Sequence, residues 1–349
     1  MLPVGFDPGF GNVKAAMVNG SRRMATMPSV VGVGETDLGL LSNFNVPGMR
    51  RRTHAMPDVV EFDGLQYLAG EHVADYGRPI ERMDFLRLAG GPELRTLFYA
   101  VMHRLLGPGG HGPLGVIVGL PVEIMLDRER ALVTRKELRK WMVGGHRFRV
   151  NGEDVVLEVE KVDVLAQPAG AFFAWALSDD GRWMRPLSEL KHTIAVCDIG
   201  FNTLDLFTLR KGQVVARFTQ GDTMGMRRAA EHIVRVVRQR FGASLSLHEA
   251  DALLRMRRPE LATADGVVDM RPVVRQALDT TAAAVVAFVE RQWGNARRFA
   301  RVLFTGGGAE VLRDVLMAQY PHGIVLDDAV TANALGLARY AAQVWSRER

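Results

Sequence analysis

Short apolar runs closed by turn-forming residues open the chain. Residues 3–6 form one such run, ended by Asp7-Pro8-Gly9, and predict a strand entering a turn. Residues 29–33 read as a buried strand. Residues 59–62 and 66–69 flank Asp63-Gly64 and predict a hairpin. Residues 34–56 are rich in Gly, Asn, Pro and Arg and read as a loop or small insertion. Helical spacing runs through Leu94, Leu97, Phe98, Val101 and Leu105, so 93–106 predicts a helix stopped by Gly107-Pro108. A buried strand over 115–120 ends at Pro121, and 124–143 predicts one long charged helix. Residues 146–150 and 155–165 flank Asn151-Gly152 as a second hairpin, followed by a helix of small and aromatic residues over 168–177 and a polar loop over 178–191.

The same order then starts again. Residues 193–198 and 204–209 predict strands, and Lys211-Gly212 turns the chain into a third over 213–218. Helices follow over 224–241, 247–256 and 273–293. A buried strand over 301–304, a helix over 309–319, a short strand at 324–325 and a closing helix over 330–345 complete the chain. Strands then helices, twice over, predict an α/β protein with two similar halves.

Composition narrows the class. The chain has 349 residues, 48% hydrophobic and 24% charged, with a mean hydropathy of +0.01. That profile predicts a globular protein of two domains, or one large bilobed one, and excludes disorder. One cysteine, Cys197, excludes a disulfide framework and fits a reducing interior. The first residues lack a basic stretch before the apolar run, and the uncharged run 105–122 is interrupted by Gly and Pro, so the expectation is a cytoplasmic protein with no membrane segment. Net charge is +5, and the arginine pairs are dispersed, so no direct nucleic-acid binding is expected. The nine histidines show no metal-ligand spacing.

One signature occurs twice. Asp7-Pro8-Gly9-Phe10-Gly11-Asn12-Val13-Lys14 follows the first apolar run, and Asp198-Ile199-Gly200-Phe201-Asn202-Thr203-Leu204-Asp205 follows the run at 194–197. Glycines let backbone N–H groups approach an anion without an intervening side chain. Asn and Thr add donors, Lys14 can supply a point charge, and an Asp at a strand end can orient a hydrated Mg²⁺. One such turn arises readily from local hairpin chemistry; two matching turns on apolar strands point to a clamp on a polyphosphate. A third element, Phe304-Thr305-Gly306-Gly307-Gly308-Ala309-Glu310, joins a buried strand to a helix through three glycines. The P-loop sequence is not present.

These three elements, in this order, resemble the actin superfamily of ATPases, which includes DnaK-type chaperones and sugar kinases. Gln167-Pro168-Ala169-Gly170-Ala171 and Ala329-Val330-Thr331-Ala332-Asn333-Ala334-Leu335-Gly336 resemble the family's two connecting helices. The compact length, the Gly-x-Gly-Asn-x-Lys turn and the short C-terminus are most similar to prokaryotic actin-like proteins of the plasmid-segregating ParM type and their archaeal relatives. The resemblance implies a bilobed actin-like fold around a nucleotide cleft. Domain I would span 1–175, with a small inserted subdomain at about 26–85 and the C-terminal helix 333–349 packing back on it. Domain II would span 176–332, with a helical subdomain at about 221–268.

It also implies roles. Asp7 and Asp198 would hold the waters of Mg²⁺, and Gly9, Gly11, Asn12, Lys14, Gly200, Asn202 and Thr203 would cradle the phosphates of ATP or GTP. Gln167 stands where relatives carry Glu or Gln; a neutral amide would orient the attacking water rather than deprotonate it, which predicts slow hydrolysis. Gly306, Gly307, Gly308 and Glu310 belong to the adenosine motif. Gly225, in the run 221–225 ahead of a helix, is a neighbour of the ribose or base or a plain helix cap. Phe201 departs from the small residue usual in the second turn. The implied function is an ATPase that polymerises into cytoplasmic filaments for plasmid or cargo segregation, with a DNA-bound adaptor as a further partner. The loop 34–56, with Phe44, Val46 and Met49, would lie at the outer tip of domain I and is the best protein-contact segment. Two alternatives share the fold: a small-molecule kinase, for which Asp222 and Asp327 are the spare acids, and a non-hydrolysing nucleotide-binding scaffold.

Overall fold

Two sheets organise the chain in a computed structural model that describes residues 1–36, 56–80 and 84–345. The contact segment expected around Phe44, Val46 and Met49 lies outside the described residues. The first sheet takes its strands from the first half of the chain: β1 (Leu2–Pro8), β2 (Asn12–Val18), β3 (Arg22–Pro28), β4 (Val31–Gly34), β5 (Asp58–Phe62), β6 (Leu65–Ala69), β7 (Gly77–Pro79), β8 (Gly109–Leu120), β9 (Gly144–Val150) and β10 (Glu153–Ala166). Their spatial order is β3-β2-β1-β8-β10-β9-β5-β6-β4-β7. Its helices are α1 (Val73–Tyr76), α2 (Pro92–Leu106), α3 (Val122–Leu126), α4 (Arg128–Met142) and α5 (Gln167–Ala176).

The second sheet has β11 (Thr193–Ile199), β12 (Leu204–Arg210), β13 (Gln213–Val214), β14 (Gln220–Asp222), β17 (Arg301–Thr305) and β18 (Gly323–Val325); β15 (Glu260–Thr263) and β16 (Gly266–Asp269) form a separate hairpin. With it go α6 (Leu187–Leu190), α7 (Arg227–Phe241), α8 (Leu247–Arg255), α9 (Arg271–Trp293), α10 (Gly307–Val311), α11 (Arg313–Gln319) and α12 (Ala332–Trp345). Among the described residues α9 alone is long and apolar enough by composition to cross a membrane, and it packs against α7, α8 and α11.

The two sheets share one plan. In each, a buried central strand hairpins back on its successor and pairs in parallel with a later strand: β1 with β2 and β8, β11 with β12 and β17. Parallel neighbours bury both faces, which is why these strands read as unbroken apolar runs.

Where pairing rather than local pattern decides, the structure departs from the expected elements. Residues 109–113 extend β8 despite their Gly and Pro, because β10 pairs with them. The helix expected over 124–143 is two, since Asp127 is extended and its carboxylate accepts the N–H of Arg130 as an N-cap. The helix expected over 309–319 breaks at Leu312, and α7 starts at Arg227 rather than 224. Only Gln213–Val214 of 213–218 is strand, and the hairpin β15–β16 lacks an alternation strong enough to predict it.

Helices α5 and α12 cross at backbone contact beneath the cleft. A Cβ on Gly336 would lie 1.7 Å from the carbonyl oxygen of Gly170, and one on Gly170 would lie 2.3 Å from that of Asn333. Gly336→Ala is therefore expected to destabilise the fold by about 3 kcal/mol, read as a clear drop in thermal midpoint. Gly110→Ala, at a position with open space around it, should leave the midpoint nearly unchanged.

Candidate functional site

The two repeated turns face each other across a cleft whose walls include Gly9, Gly11, Lys14, Gly200, Thr203 and Gly306. Asn12, Gln167, Asp198, Asn202 and Gly307 also line it. Each turn is braced from behind. The Ser29 hydroxyl donates to the Gly9 carbonyl, and the Ser29 N–H donates to that of Gly11 at 2.9 Å. In the second turn the N–H of Gly200 reaches the Thr203 carbonyl at 2.9 Å, and Met226 and Arg227 donate to the carbonyls of Gly200 and Phe201. Gly225 is part of this brace: a Cβ there would lie 2.3 Å from the Phe201 carbonyl oxygen.

Register puts the charges opposite one another. Asp7 pairs with Lys14 across the first hairpin, and Asp198 pairs with Asp205 across the second. Asp7 is fully buried, ion-paired to Lys14 at 3.1 Å, and accepts a hydrogen bond from the Gln167 amide. Asp198 accepts from Asn333 Nδ2 at 2.7 Å. Burial first, and then the charge of Asp7, push the Asp198 carboxyl up to about 6, with Asn333 and Lys14 opposing. Asp205 is raised well above the usual carboxylate range, again by burial and then by Asp198. One of its oxygens accepts the Val122 N–H at 3.0 Å, tying the second hairpin to the start of α3; the other has no partner among the described residues.

Asp7 and Asp198 are two buried carboxylates near one lysine, and the buried Asn333 Oδ1 lacks a donor among the described residues. A hydrated divalent cation fits that deficit, supplying positive charge and water protons together. Among the described residues no three His, Cys, Asp or Glu side chains are grouped as a metal site.

The glycines after β17 divide in two. Gly306, at φ 86, packs so that a Cβ would lie 2.5 Å from Asp198 Oδ1, and Gly307 carries the Arg255 guanidinium against its Cα. Arg255 is held by Asp251 at 2.9 Å and donates to the Gly307 carbonyl at 3.4 Å. Gly308 packs on Ile199 of β11, and Glu310 is exposed; neither lines the cleft. Asp222, at the end of β14, and the exposed Asp327 stand outside it too. Phe201 is buried, its ring stacked on His248 at 5.6 Å, and its Cβ is 2.7 Å from where a Cβ on Gly11 would sit.

Sequence reasoning assigns no role to Ser29, Asp205, Arg255 or Asn333. Asp205 has a usable signal, since it stands seven residues after Asp198 as Lys14 does after Asp7. Arg255 has none, because its place in the cleft depends on how α8 docks.

Comparison with known proteins agrees with this architecture. The profile of the N-terminal domain of actin-like proteins matches residues 5–170, and that of the C-terminal domain of archaeal MreB-like actin homologues matches residues 196–318. No curated protein sequence matches the chain. Among solved structures, a 15-stranded ParM filament from Clostridium botulinum has a TM-score of 0.75 at 19% identity, covering 98% of this chain and 99% of that one. The non-polymerisable quadruple mutant of pCBH ParM also scores 0.75, at 18% identity and the same coverage. The archaeal actin homologue Ta0583 in complex with ADP scores 0.70 at 18% identity, again over 98% and 99%. With an actin-like domain matched in each half and the actin-like fold spanning its length, the chain belongs to the actin-like proteins.

Proposed function

We propose that this protein binds ATP with Mg²⁺ between its two halves, hydrolyses it slowly, and assembles into cytoplasmic filaments that move a plasmid or other cargo, with a DNA-bound adaptor as partner. The observation that carries the reading is the meeting of the two glycine turns in one cleft, with Asp198 on its wall and Asp7 buried near it. The filament formed by one relative and the ADP bound to another support it by analogy alone.

The proposed roles are these. Gly9, Gly11 and Gly200 put no side chain between the turns and a phosphate, and Lys14, Asn12, Asn202 and Thr203 would supply side-chain donors. Asp7 and Asp198 would hold water on Mg²⁺, and the ion would offset charge on the phosphates when bound. Gln167 Nε2 is committed to Asp7, so its Oε1 is the atom left to orient an attacking water. An amide takes up no proton at neutral pH, which makes the chemical step slow. Contacts to both turns favour the closed form, and closure is what presents a fixed surface to the next subunit.

Sedimentation with ATP, ADP and a non-hydrolysable analogue, run beside phosphate release, tests the reading. Polymer is expected with ATP and the analogue, less with ADP, and phosphate release should trail assembly. ATP binding with neither polymer nor phosphate would point to a scaffold instead. ATP consumption only on addition of a hydroxyl or carboxyl acceptor would point to a kinase.

A further inference from the structure

The two halves present matched carboxamides to the cleft. Gln167 opens α5, stands three residues before Gly170, and donates to Asp7; Asn333 lies in the first turn of α12, three residues before Gly336, and donates to Asp198. Gly170 and Gly336 are where the backbones of these helices come into contact. The match therefore covers the carboxamide, its aspartate and the glycine that lets its helix approach. From sequence alone, only Gln167 of the two has a role.

Asn333 is 3% exposed, and its amide has one satisfied end. Nδ2 must be the atom facing Asp198, since a carboxylate only accepts. That leaves Oδ1 buried, an acceptor, and without a partner among the described residues, in a side chain that lines the cleft. A buried amide oxygen left unpaired costs about 1–3 kcal/mol, so the position calls for a donor that arrives from outside the chain. The near cation, Lys14, is already bonded to Asp7. Phosphate oxygens offer no proton to Oδ1, whereas water does, and beside the Asp198 carboxylate a water polarised by a divalent cation is the donor best matched to the local charge.

We propose that Asn333 is the second water-positioning carboxamide of this cleft, with Nδ2 fixing Asp198 and Oδ1 accepting a hydrogen bond from water on a nucleotide-bound divalent cation. The inference rests on the nucleotide reading above and adds to it a cation-binding residue contributed by the C-terminal helix. It makes that helix part of the site as well as part of the packing beneath the first sheet.

The test separates cation binding from folding. Affinity for a fluorescent ADP analogue is measured in Mg²⁺ and in EDTA, for wild type, Asn333→Ala and Asn333→Asp, each checked by thermal melt. In wild type Mg²⁺ should tighten binding. Asn333→Ala should lose about tenfold of that enhancement while its affinity in EDTA stays within about twofold of wild type. Asn333→Asp keeps an acceptor at the same place, so it should retain the Mg²⁺ enhancement but bind more weakly in EDTA, where its charge opposes the phosphates. Undiminished enhancement in Asn333→Ala, or equal loss of it in both variants, overturns the proposal with the nucleotide reading intact. A folded wild type that binds no nucleotide in either buffer overturns both.

Discussion

Gly11→Ala is expected to abolish filament assembly and lower phosphate release about a hundredfold, with little change in thermal stability. The added Cβ would sit 2.7 Å from the Cβ of Phe201, which belongs to the opposite turn. Phe201 has little room to yield: its ring is stacked on His248, and its carbonyl accepts the Arg227 N–H at 2.7 Å. The contact is therefore relieved by parting the turns. A steric cost of about 1–3 kcal/mol falls on the closed form and hardly at all on either half alone, which is why assembly suffers and the melt does not. The double variant Gly11→Ala/Phe201→Ala removes the collision and should regain most of the lost activity, a coupling of about 1–3 kcal/mol. Wild-type polymer yield from Gly11→Ala alone would mean that the two turns do not need to meet. The same collision accounts for Phe201: the large residue in the second turn is tolerated because the first turn offers it a glycine.

How much of this is legible in the sequence depends on how local each feature is. The paired turns can be read directly, because strand, aspartate and glycine spacing are chemistry within eight residues, and the repeat makes chance a poor explanation. The hairpins at Asp63-Gly64 and Asn151-Gly152 are legible for the same reason: Asp63 and Asn151 both take positive φ, followed by glycines that do so easily. Features set by a distant partner are not. Strand 109–113 exists because β10 lies beside it, and the brace from Ser29 needs two hydrogen bonds to a turn some twenty residues away. Gly308 and Glu310 show the opposite difficulty: a three-glycine run reads as one uniform ligand wall, whereas successive residues at the turn face Asp198, Arg255 and Ile199 in rotation.

Asp198→Ala should lower phosphate release by about three orders of magnitude and leave ATP-dependent filaments that assemble and then persist. Two effects of the change oppose each other in the ground state. Losing the carboxylate strands Asn333 Nδ2, a buried donor worth about 1–3 kcal/mol, but it also removes a charge that Asp7 repels. Folding and nucleotide binding are thus expected to survive, since the glycine turns and Lys14 are untouched. What is lost is the orientation of water around the cation in the transition state, for which Asp7 alone cannot substitute. Asp205→Asn serves as the contrast: its side-chain oxygen can still accept the Val122 N–H, so the tie between the second hairpin and α3 remains and filaments should form. Light scattering followed past ATP exhaustion separates the cases, because wild-type polymer should decay and Asp198→Ala polymer should not. Normal phosphate release from Asp198→Ala would show that the second turn does not hold the reacting phosphate.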